Sequence, residues 1–125
     1  MISSKNDKVD LNAKGNYLKN FTSRGDIYIG DKAFEYYNEK NSRDYIQIPY
    51  SEISLVGVRL LFGKKILRFK IFTRSNGDFE FNSSNNIKIL LLLQTYLGKE
   101  KIRKIPSILD KLKDKNKNKK TTHFK

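Results

Sequence analysis

Residues 25–50, GDIYIGDKAFEYYNEKNSRDYIQIPY, constrain the fold more than any other stretch of this sequence. Apolar residues alternate with polar or aromatic ones in two short runs, a pattern typical of half-buried β-strands. The residues Gly30-Asp31-Lys32 between the runs favour a tight turn. A third run ends at Pro49, which lacks an N–H group for a sheet hydrogen bond. The stretch predicts a hairpin and a third strand, with these inward side chains: Ile27, Ile29, Phe34, Tyr36, Ile46 and Ile48.

Strand patterns continue on both sides of this stretch. Alternation predicts strands at residues 9–13, 67–71 and 79–81, and the β-branched apolar run at residues 53–62 predicts a long strand. We expect a turn or bulge at Gly15 and Asn16 and a further bulge at Gly57. We expect a hairpin at Asn76-Gly77 in which both turn residues have positive φ.

The hydrophobic period changes from two to about 3.6 after residue 82. Residues 83–85 offer polar capping groups and Gly98 offers a left-handed stop, so a helix is predicted between them. Its helically spaced apolar residues are Ile87, Leu90, Leu91, Tyr96 and Leu97. Residues 102–112 also have near-helical spacing, and Pro106 suits a first helical turn, so we expect a short second helix from about Pro106.

About seven antiparallel strands followed by one amphipathic helix are typical of a pleckstrin-homology-like (PH-like) sandwich, or partly open barrel. In this mainly β fold the helix covers the open end of the core. A five-stranded small barrel is the alternative. The predicted organisation is a flexible N-terminus at 1–8, a PH-like domain at 9–98, a short helical extension at 99–113 and a basic disordered tail at 114–125.

The composition and the short apolar runs predict a cytosolic protein. With 125 residues the chain fits one domain. It contains no cysteine, which excludes disulfides, thiolate metal sites and thiol nucleophiles. The N-terminus lacks the apolar run of a secretory signal, and the longest apolar run, at residues 89–93, is too short to cross a bilayer.

The residues that usually carry catalysis are absent or poorly placed. The one histidine, His123, falls in the predicted disordered tail, where no scaffold orients it. The acidic residues of the central stretch lack metal-ligand spacing, and we interpret them as solvated charges. They are Asp26, Asp31, Glu35, Glu39 and Asp44. The glycines form no nucleotide-binding motif. We predict a non-enzymatic protein without a cofactor or metal.

Two outward strand faces are candidate binding surfaces. Arg43, Tyr45 and Gln47 alternate with inward isoleucines and show a cation, an aromatic ring and an amide, a combination enriched at protein interfaces. An ordinary solvated sheet face is an equally weighted alternative. A second set of outward cations predicts a basic face, for which a merely solubilising surface is the stronger alternative. Its members are Arg59, Arg68 and Lys70.

The positive charge is concentrated at the C-terminal end. Residues 99–125 hold eleven Lys or Arg and three acidic residues, which leaves +5 of the net charge of +13 for residues 1–98. A plain solvated tail is the first interpretation. The tail lysines could instead tether the chain weakly to the anionic inner leaflet. These lysines are Lys115, Lys117, Lys119 and Lys120. Specific nucleic-acid binding is not favoured, because arginine and aromatic residues are sparse in the tail.

Four segments carry a family resemblance: KVDLNAK at 8–14, IGDKAFEYYN at 29–38, RDYIQIPY at 43–50 and NGDFEF at 76–81. They resemble the ManO-like family, regulators encoded beside mannose-family phosphotransferase genes in low-GC Gram-positive bacteria. The resemblance covers about residues 7–113; the tail from Asp114 departs from it. The family is regarded as a domain of unknown function, so the resemblance implies a pathway and a PH/GRAM-like fold.

The resemblance implies an adaptor or regulator that contacts cytosolic subunits of a mannose-family phosphotransferase transporter. Usual phosphotransferase carriers pass phosphate through histidine or cysteine, and a chain whose one histidine lies in the tail does not fit that role. The alternatives are a nucleic-acid-binding regulator of the same operon and a module that binds the anionic membrane surface.

Overall fold

Eight strands and one α-helix make up the protein in the computed structural model, which describes residues 2–105. The strands are β1 (Val9–Leu18), β2 (Thr22–Gly30), β3 (Ala33–Asn38), β4 (Tyr45–Pro49), β5 (Ile53–Leu61), β6 (Lys65–Thr73), β7 (Asp78–Asn82) and β8 (Ile102–Ile105). Helix α1 (Asn86–Leu97) lies between β7 and β8 in the chain, and single 3₁₀ turns occupy Tyr50–Glu52 and Lys99–Lys101. His123, the tail lysines and the helix predicted from Pro106 lie outside the described residues.

The strands form one open sheet in the order β4-β3-β2-β1-β7-β6-β5-β8. Every neighbouring pair is antiparallel except β5 and β8, which run parallel. The prediction of a mainly β chain with a helix after the sheet is therefore confirmed, with eight strands in place of about seven. Strands β4 and β8 are the two edges of this sheet.

The core is centred on four fully buried aromatic side chains, Phe34, Tyr36, Phe69 and Phe81. The Phe81 ring centroid lies 4.7 Å from that of Phe34, 5.8 Å from that of Tyr36 and 5.9 Å from that of Phe69. The Tyr36 hydroxyl donates to the Ser23 carbonyl over 2.8 Å. Burial raises the pKa of Tyr36 to about 12. The inward positions predicted for β2, β3 and β4 are confirmed, although Ile46 is only half-buried.

Two glycines predicted to interrupt strands allow close packing instead. Strand β1 runs straight through Gly15, and its bulge lies between Val9 and Leu11. A Cβ atom at Gly15 would lie 2.4 Å from the Ile27 Cδ1 atom, so glycine is needed for strand approach and not for a turn. Gly57 is regularly paired, and the bulges of β5 fall on either side of it. Its missing Cβ makes room for the Ile105 side chain.

The Asn76-Gly77 hairpin is confirmed, but its turn geometry differs from the prediction. Gly77 has a φ of 78°, whereas Asn76 is not in the positive-φ region. The turn spans four residues, and the Thr73 N–H group donates to the Gly77 carbonyl over 2.9 Å. The one positive-φ residue of this loop is Gly77, and glycine adopts that angle without strain.

Helix α1 ends at Gly98 as predicted, with a φ of 95° and its N–H group bonded to the Gln94 carbonyl. Its buried face was predicted only in part. Ile89, Leu90 and Leu93 are buried, together with Asn86, whereas Ile87 is 65% exposed and Leu91 is 58% exposed. Four consecutive leucines leave the helical phase ambiguous in the sequence, and contact with the sheet selects one phase.

Residues 102–105 form a strand where their spacing predicted a helical extension. Strand β8 pairs with the edge of β5, and Ile102 packs against the core. The helical spacing of these residues does not decide their conformation. The β5 edge has backbone groups that can pair with a neighbouring extended segment, and pairing with it favours a strand. No helix in residues 2–105 is long and apolar enough to span a membrane.

Candidate functional site

Three tyrosines project from the outer face of strands β2, β3 and β4, because alternate residues of a strand point to the same side of a sheet. The ring centroid of Tyr37 lies 5.6 Å from that of Tyr28 and 6.2 Å from that of Tyr45. Tyr37 and Tyr45 are direct partners across β3 and β4. We call this row of rings, Tyr28, Tyr37 and Tyr45, the tyrosine face.

The residues before β1 lie across the tyrosine face and are held there by Glu35. The Glu35 carboxylate accepts hydrogen bonds from the Ser4 hydroxyl (2.6 Å), the Lys5 N–H group (2.6 Å) and the Asn6 side-chain amide (3.3 Å). Glu35 is 1% exposed. The interpretation of Glu35 as a solvated charge is therefore wrong, and the N-terminal residues expected to be flexible are bound by hydrogen bonds. A charge is buried here because three donors satisfy it.

Asn6 and Asp31 tie the same segment to the β2–β3 turn. The Asn6 Oδ1 atom accepts from the N–H groups of Lys32 (2.8 Å) and Ala33 (2.7 Å). The Asp31 Oδ1 atom accepts from the N–H groups of Asp7 (2.9 Å) and Lys8 (3.0 Å). These backbone donors, the Lys8 N–H group above all, lower the pKa of Asp31. The segment at residues 2–8, which we call the N-terminal strap, thus has two separate anchors.

A surface cavity of about 700 Å³ lies between the N-terminal strap and the tyrosine face. Arg43 and Tyr45 line it on the β4 side, beside the buried Glu35. Within residues 2–105 the Arg43 side chain has no hydrogen bond or ion pair, and Tyr45 is 38% exposed. The cavity lining is Ile2, Ser4, Val9, Tyr28, Glu35, Tyr37, Ser42, Arg43 and Tyr45.

Gln47, the third residue of the candidate interaction surface, supports the cavity and does not line it. Its side-chain amide donates to the Ser3 carbonyl over 2.8 Å and to the Tyr37 hydroxyl over 3.0 Å. Burial raises the pKa of Tyr37, and the bond from Gln47 opposes this rise in part. The structure therefore brings Arg43 and Tyr45 together at the cavity, whereas the Gln47 amide is occupied by contacts within the protein.

The predicted basic face is a charge cluster around one carboxylate. Glu80 on β7 lies 2.9 Å from the Arg59 Nε atom, 3.7 Å from the Arg68 Nε atom and 4.0 Å from the Lys70 Nζ atom. Its side chain is 14% exposed. Sequence reasoning missed Glu80, although the Asn76-Gly77 hairpin register that pairs it with Lys70 was a usable signal. Arg59, Arg68 and Lys70 lie together around Glu80, whose single carboxylate compensates part of their charge.

Replacing Glu80 with glutamine is expected to destabilise the protein by about 2 kcal/mol, since three cations would lose the anion they share in a mostly buried position. Urea denaturation at low salt measures the loss. Sulfate should restore part of the stability of this variant by screening the cations. Asp78→Asn, on the same strand but exposed, is the control and should change stability little. A Glu80→Gln variant as stable as the Asp78→Asn variant would contradict this role for Glu80.

Of the other acidic residues of the central stretch, Asp26 and Glu39 form surface ion pairs and Asp44 accepts a side-chain hydrogen bond. The Lys14 Nζ atom lies 2.9 Å from Asp26 and 3.5 Å from Glu39. Asp44 accepts a 3.4 Å bond from the Asn38 amide. In the part of the chain that the structure describes, no group of three or more metal-ligating side chains is placed to hold an ion. The arrangement is suited to binding, because one cavity combines aromatic surface with a cation, Arg43, that lacks an ion-pair partner in the described residues.

Comparisons with known proteins place both the sequence and the fold. The family model described as Domain of unknown function (DUF956) matches residues 1–116. A search of curated protein sequences found no match.

Several solved structures share the fold. The C-terminal domain of an unknown protein from Leishmania infantum has a TM-score of 0.64 and 12% identity, over 74% of this chain and 85% of that chain. A chain of the Spt16D Pob3N heterodimer has a TM-score of 0.59 and 10% identity, over 78% of this chain; the match spans 56% of that chain. The hSac2 domain of the human phosphoinositide phosphatase Sac2 has a TM-score of 0.51 and 10% identity, over 80% of this chain and 77% of that chain. At these identities the matches support similarity to PH-like domains in fold alone.

Proposed function

Because this chain belongs to the family described as Domain of unknown function (DUF956), we propose its function from its own surface: it is a non-enzymatic adaptor or regulator that binds a protein partner. The observation that carries the proposal is the cavity of about 700 Å³ between the N-terminal strap and the tyrosine face. Tyrosine and arginine are among the residue types most enriched at the energetic centres of protein interfaces. Here three tyrosines and Arg43, whose side chain has no partner among residues 2–105, share one concave surface.

The proposed partners are the cytosolic subunits of a mannose-family phosphotransferase transporter. This step depends on the ManO-like resemblance of the segments at 8–14, 29–38, 43–50 and 76–81. Two of these segments contain most of the tyrosine face and Arg43. The same partners would place the protein in the cytoplasm, close to the inner membrane surface.

We favour protein contact over binding to an anionic surface because of the charges around the two cationic sites, the Glu80 cluster and Arg43. Arg59, Arg68 and Lys70 surround Glu80, which compensates part of their charge. Arg43 has no acidic side chain within ion-pair distance among residues 2–105, and among the described residues that line the cavity it is the one cation, beside aromatic rings. Anionic lipids and nucleic acids bind best to extended basic surfaces.

Co-purification with the cytosolic transporter subunits tests the proposal. The wild-type chain should retain a subunit in at least one phosphorylation state. The double variant Arg43→Ala/Tyr45→Ala should lose about 2 kcal/mol or more of binding free energy, roughly thirtyfold in affinity. Lys64→Ala, which removes an exposed cation from the β5–β6 turn, is the control and should bind like wild type.

Two outcomes would overturn the proposal. If no transporter subunit co-purifies with the protein in any phosphorylation state, the assignment of phosphotransferase partners is rejected. Specific operator binding that persists after deletion of residues 114–125 would favour the nucleic-acid-binding regulator, because charge-driven binding by the tail has no sequence preference.

A further inference from the structure

Strand β4 presents half of its backbone groups to the outside of the sheet. In an antiparallel pair, residues alternate between exchanging hydrogen bonds with the partner strand and pointing their N–H and C=O groups away from it. The Asn38 N–H group bonds to the Asp44 carbonyl, and the Tyr50 N–H group bonds to the Lys32 carbonyl, each over 2.9 Å. With the β3–β4 register, this parity assigns Ile46 and Ile48 to the bonded positions.

The alternate residues of β4, Tyr45, Gln47 and Pro49, therefore direct their backbone groups toward the free edge. Tyr45 and Gln47 each offer an N–H and a C=O group there, and no partner for them lies within residues 2–105. Pro49 offers only a carbonyl. Natural sheet edges are often blunted by proline at a position whose N–H would face outward. Here one end is blunted, and two donors remain at the end nearer Arg43.

A groove runs along this free edge, between β4 and the β6–β7 hairpin. Its volume is about 210 Å³, and residues of β4 form one wall while Thr73 and Asn76 lie on the other side. The half-buried side chains of Ile46 and Phe79 contribute apolar surface to it. Tyr45 borders both this groove and the larger cavity under the N-terminal strap. The edge thus has unpaired backbone groups, an apolar recess and an aromatic side chain in one place.

We propose that the β4 edge binds an extended peptide segment of the partner, which adds to the sheet as an antiparallel strand. The proposal deepens the proposed function and rests on it, because it assigns the binding mode at the same surface. An added strand satisfies the N–H groups of Tyr45 and Gln47, as in other cases of strand addition to a sheet edge. We propose an antiparallel orientation because antiparallel strand pairs are about two- to three-fold more common than parallel ones.

The geometry also sets the composition of the peptide. Alternate side chains of the added strand would point into the groove, where Ile46 and Phe79 favour a β-branched apolar residue. Arg43 precedes β4, so it would lie beside the C-terminal end of an antiparallel peptide and favour an acidic residue there. Glu52 lies at the other end of the groove and favours a basic residue at the peptide N-terminus. Neither charged side chain has an ion-pair partner in the described part of the chain.

An NMR titration with the acetylated hexapeptide KTVTVD tests this mode on the full-length protein. In the free protein the amide hydrogens of Tyr45 and Gln47 should exchange quickly, while those of Ile46 and Ile48 exchange slowly. Peptide addition should protect the Tyr45 and Gln47 amides at least about tenfold. N-methylation of one alternate set of peptide residues should abolish this effect, and N-methylation of the other set should not, because only one set faces β4.

Three results of this titration would overturn the proposal: no protection of the two amides up to the solubility limit of the peptide, equal effects of both N-methylated sets, or protection of both amides before any peptide is added. Protection that instead rises with protein concentration would assign the edge to a second copy of this chain. It would also overturn the peptide assignment.

Two variants at position 47 distinguish strand addition at the β4 edge from partner binding by any other mode. Gln47→Pro removes the edge-facing N–H group, and Gln47→Ala keeps it; both lose the side-chain bonds to Ser3 and Tyr37. The Gln47→Pro variant should bind a transporter subunit about tenfold more weakly than the Gln47→Ala variant, as expected for one lost hydrogen bond and a steric block. If Gln47→Pro fails to fold, the N-methylated peptides decide the question.

The two failures have different signatures. Partner binding that depends on Arg43 and Tyr45 but is equal for Gln47→Pro and Gln47→Ala would overturn strand addition and leave the adaptor function standing. Protection of the edge amides by the hexapeptide without any transporter association would remove the partner assignment while supporting strand addition.

Discussion

Replacement of Phe81 with alanine is expected to lower the free energy of unfolding by about 3–5 kcal/mol, which is a large share of the total stability of a small domain. Phe81 is fully buried, and its ring lies within 6 Å of four other aromatic rings, those of Tyr17, Phe34, Tyr36 and Phe69. Strand β7 links the two halves of the sheet through β1 and β6. A cavity at Phe81 would therefore loosen the packing of both halves at once.

Urea denaturation followed by circular dichroism measures this loss. Phe79→Ala is the matched control, since Phe79 lies two residues away on the same strand and is only half-buried. Its loss of stability should be clearly smaller. Equal losses for the two variants would mean that the core is not centred on Phe81.

Replacement of Glu35 with glutamine is expected to release the N-terminal strap and to destabilise the protein by about 2 kcal/mol. The carboxylate accepts from three donors, and hydrogen bonds to a charged group contribute about 1.5–3 kcal/mol each. A glutamine amide would turn an NH₂ group toward at least one of those donors. The Lys5 amide hydrogen should lose at least about tenfold of its protection against exchange.

Hydrogen exchange and urea denaturation on the same variant check this prediction. Glu52→Gln removes a carboxylate without a side-chain hydrogen bond among residues 2–105, so it is the control for the loss of one negative charge. Unchanged protection at Lys5 in the Glu35→Gln variant would show that Asn6 and Asp31 hold the strap without Glu35. Because Ile2 and Ser4 line the cavity, release of the strap should also alter partner binding at Arg43 and Tyr45.

Features that depend on neighbouring residues followed from the sequence alone. Alternation placed Ile27, Ile29, Phe34 and Tyr36 in the core, since strand period and burial are linked wherever one sheet face is covered. The turns after Gly30 and near Gly77 and the helix end at Gly98 occur where the sequence predicted them, and the positive φ angles at Gly77 and Gly98 are ones that glycine adopts without strain. The outward positions of Arg43 and Tyr45 followed from the same alternation.

Features that depend on distant parts of the chain were decided by the tertiary structure. Glu35 has the charge of a surface residue, and it is buried because donors some thirty positions earlier reach it. Glu80 gathers the predicted cations because β5, β6 and β7 are neighbours. Residues 102–105 form a strand because the β5 edge lies beside them. Local sequence determines backbone preference and the burial pattern, whereas the satisfaction of a charge or a strand edge depends on which segments meet in space.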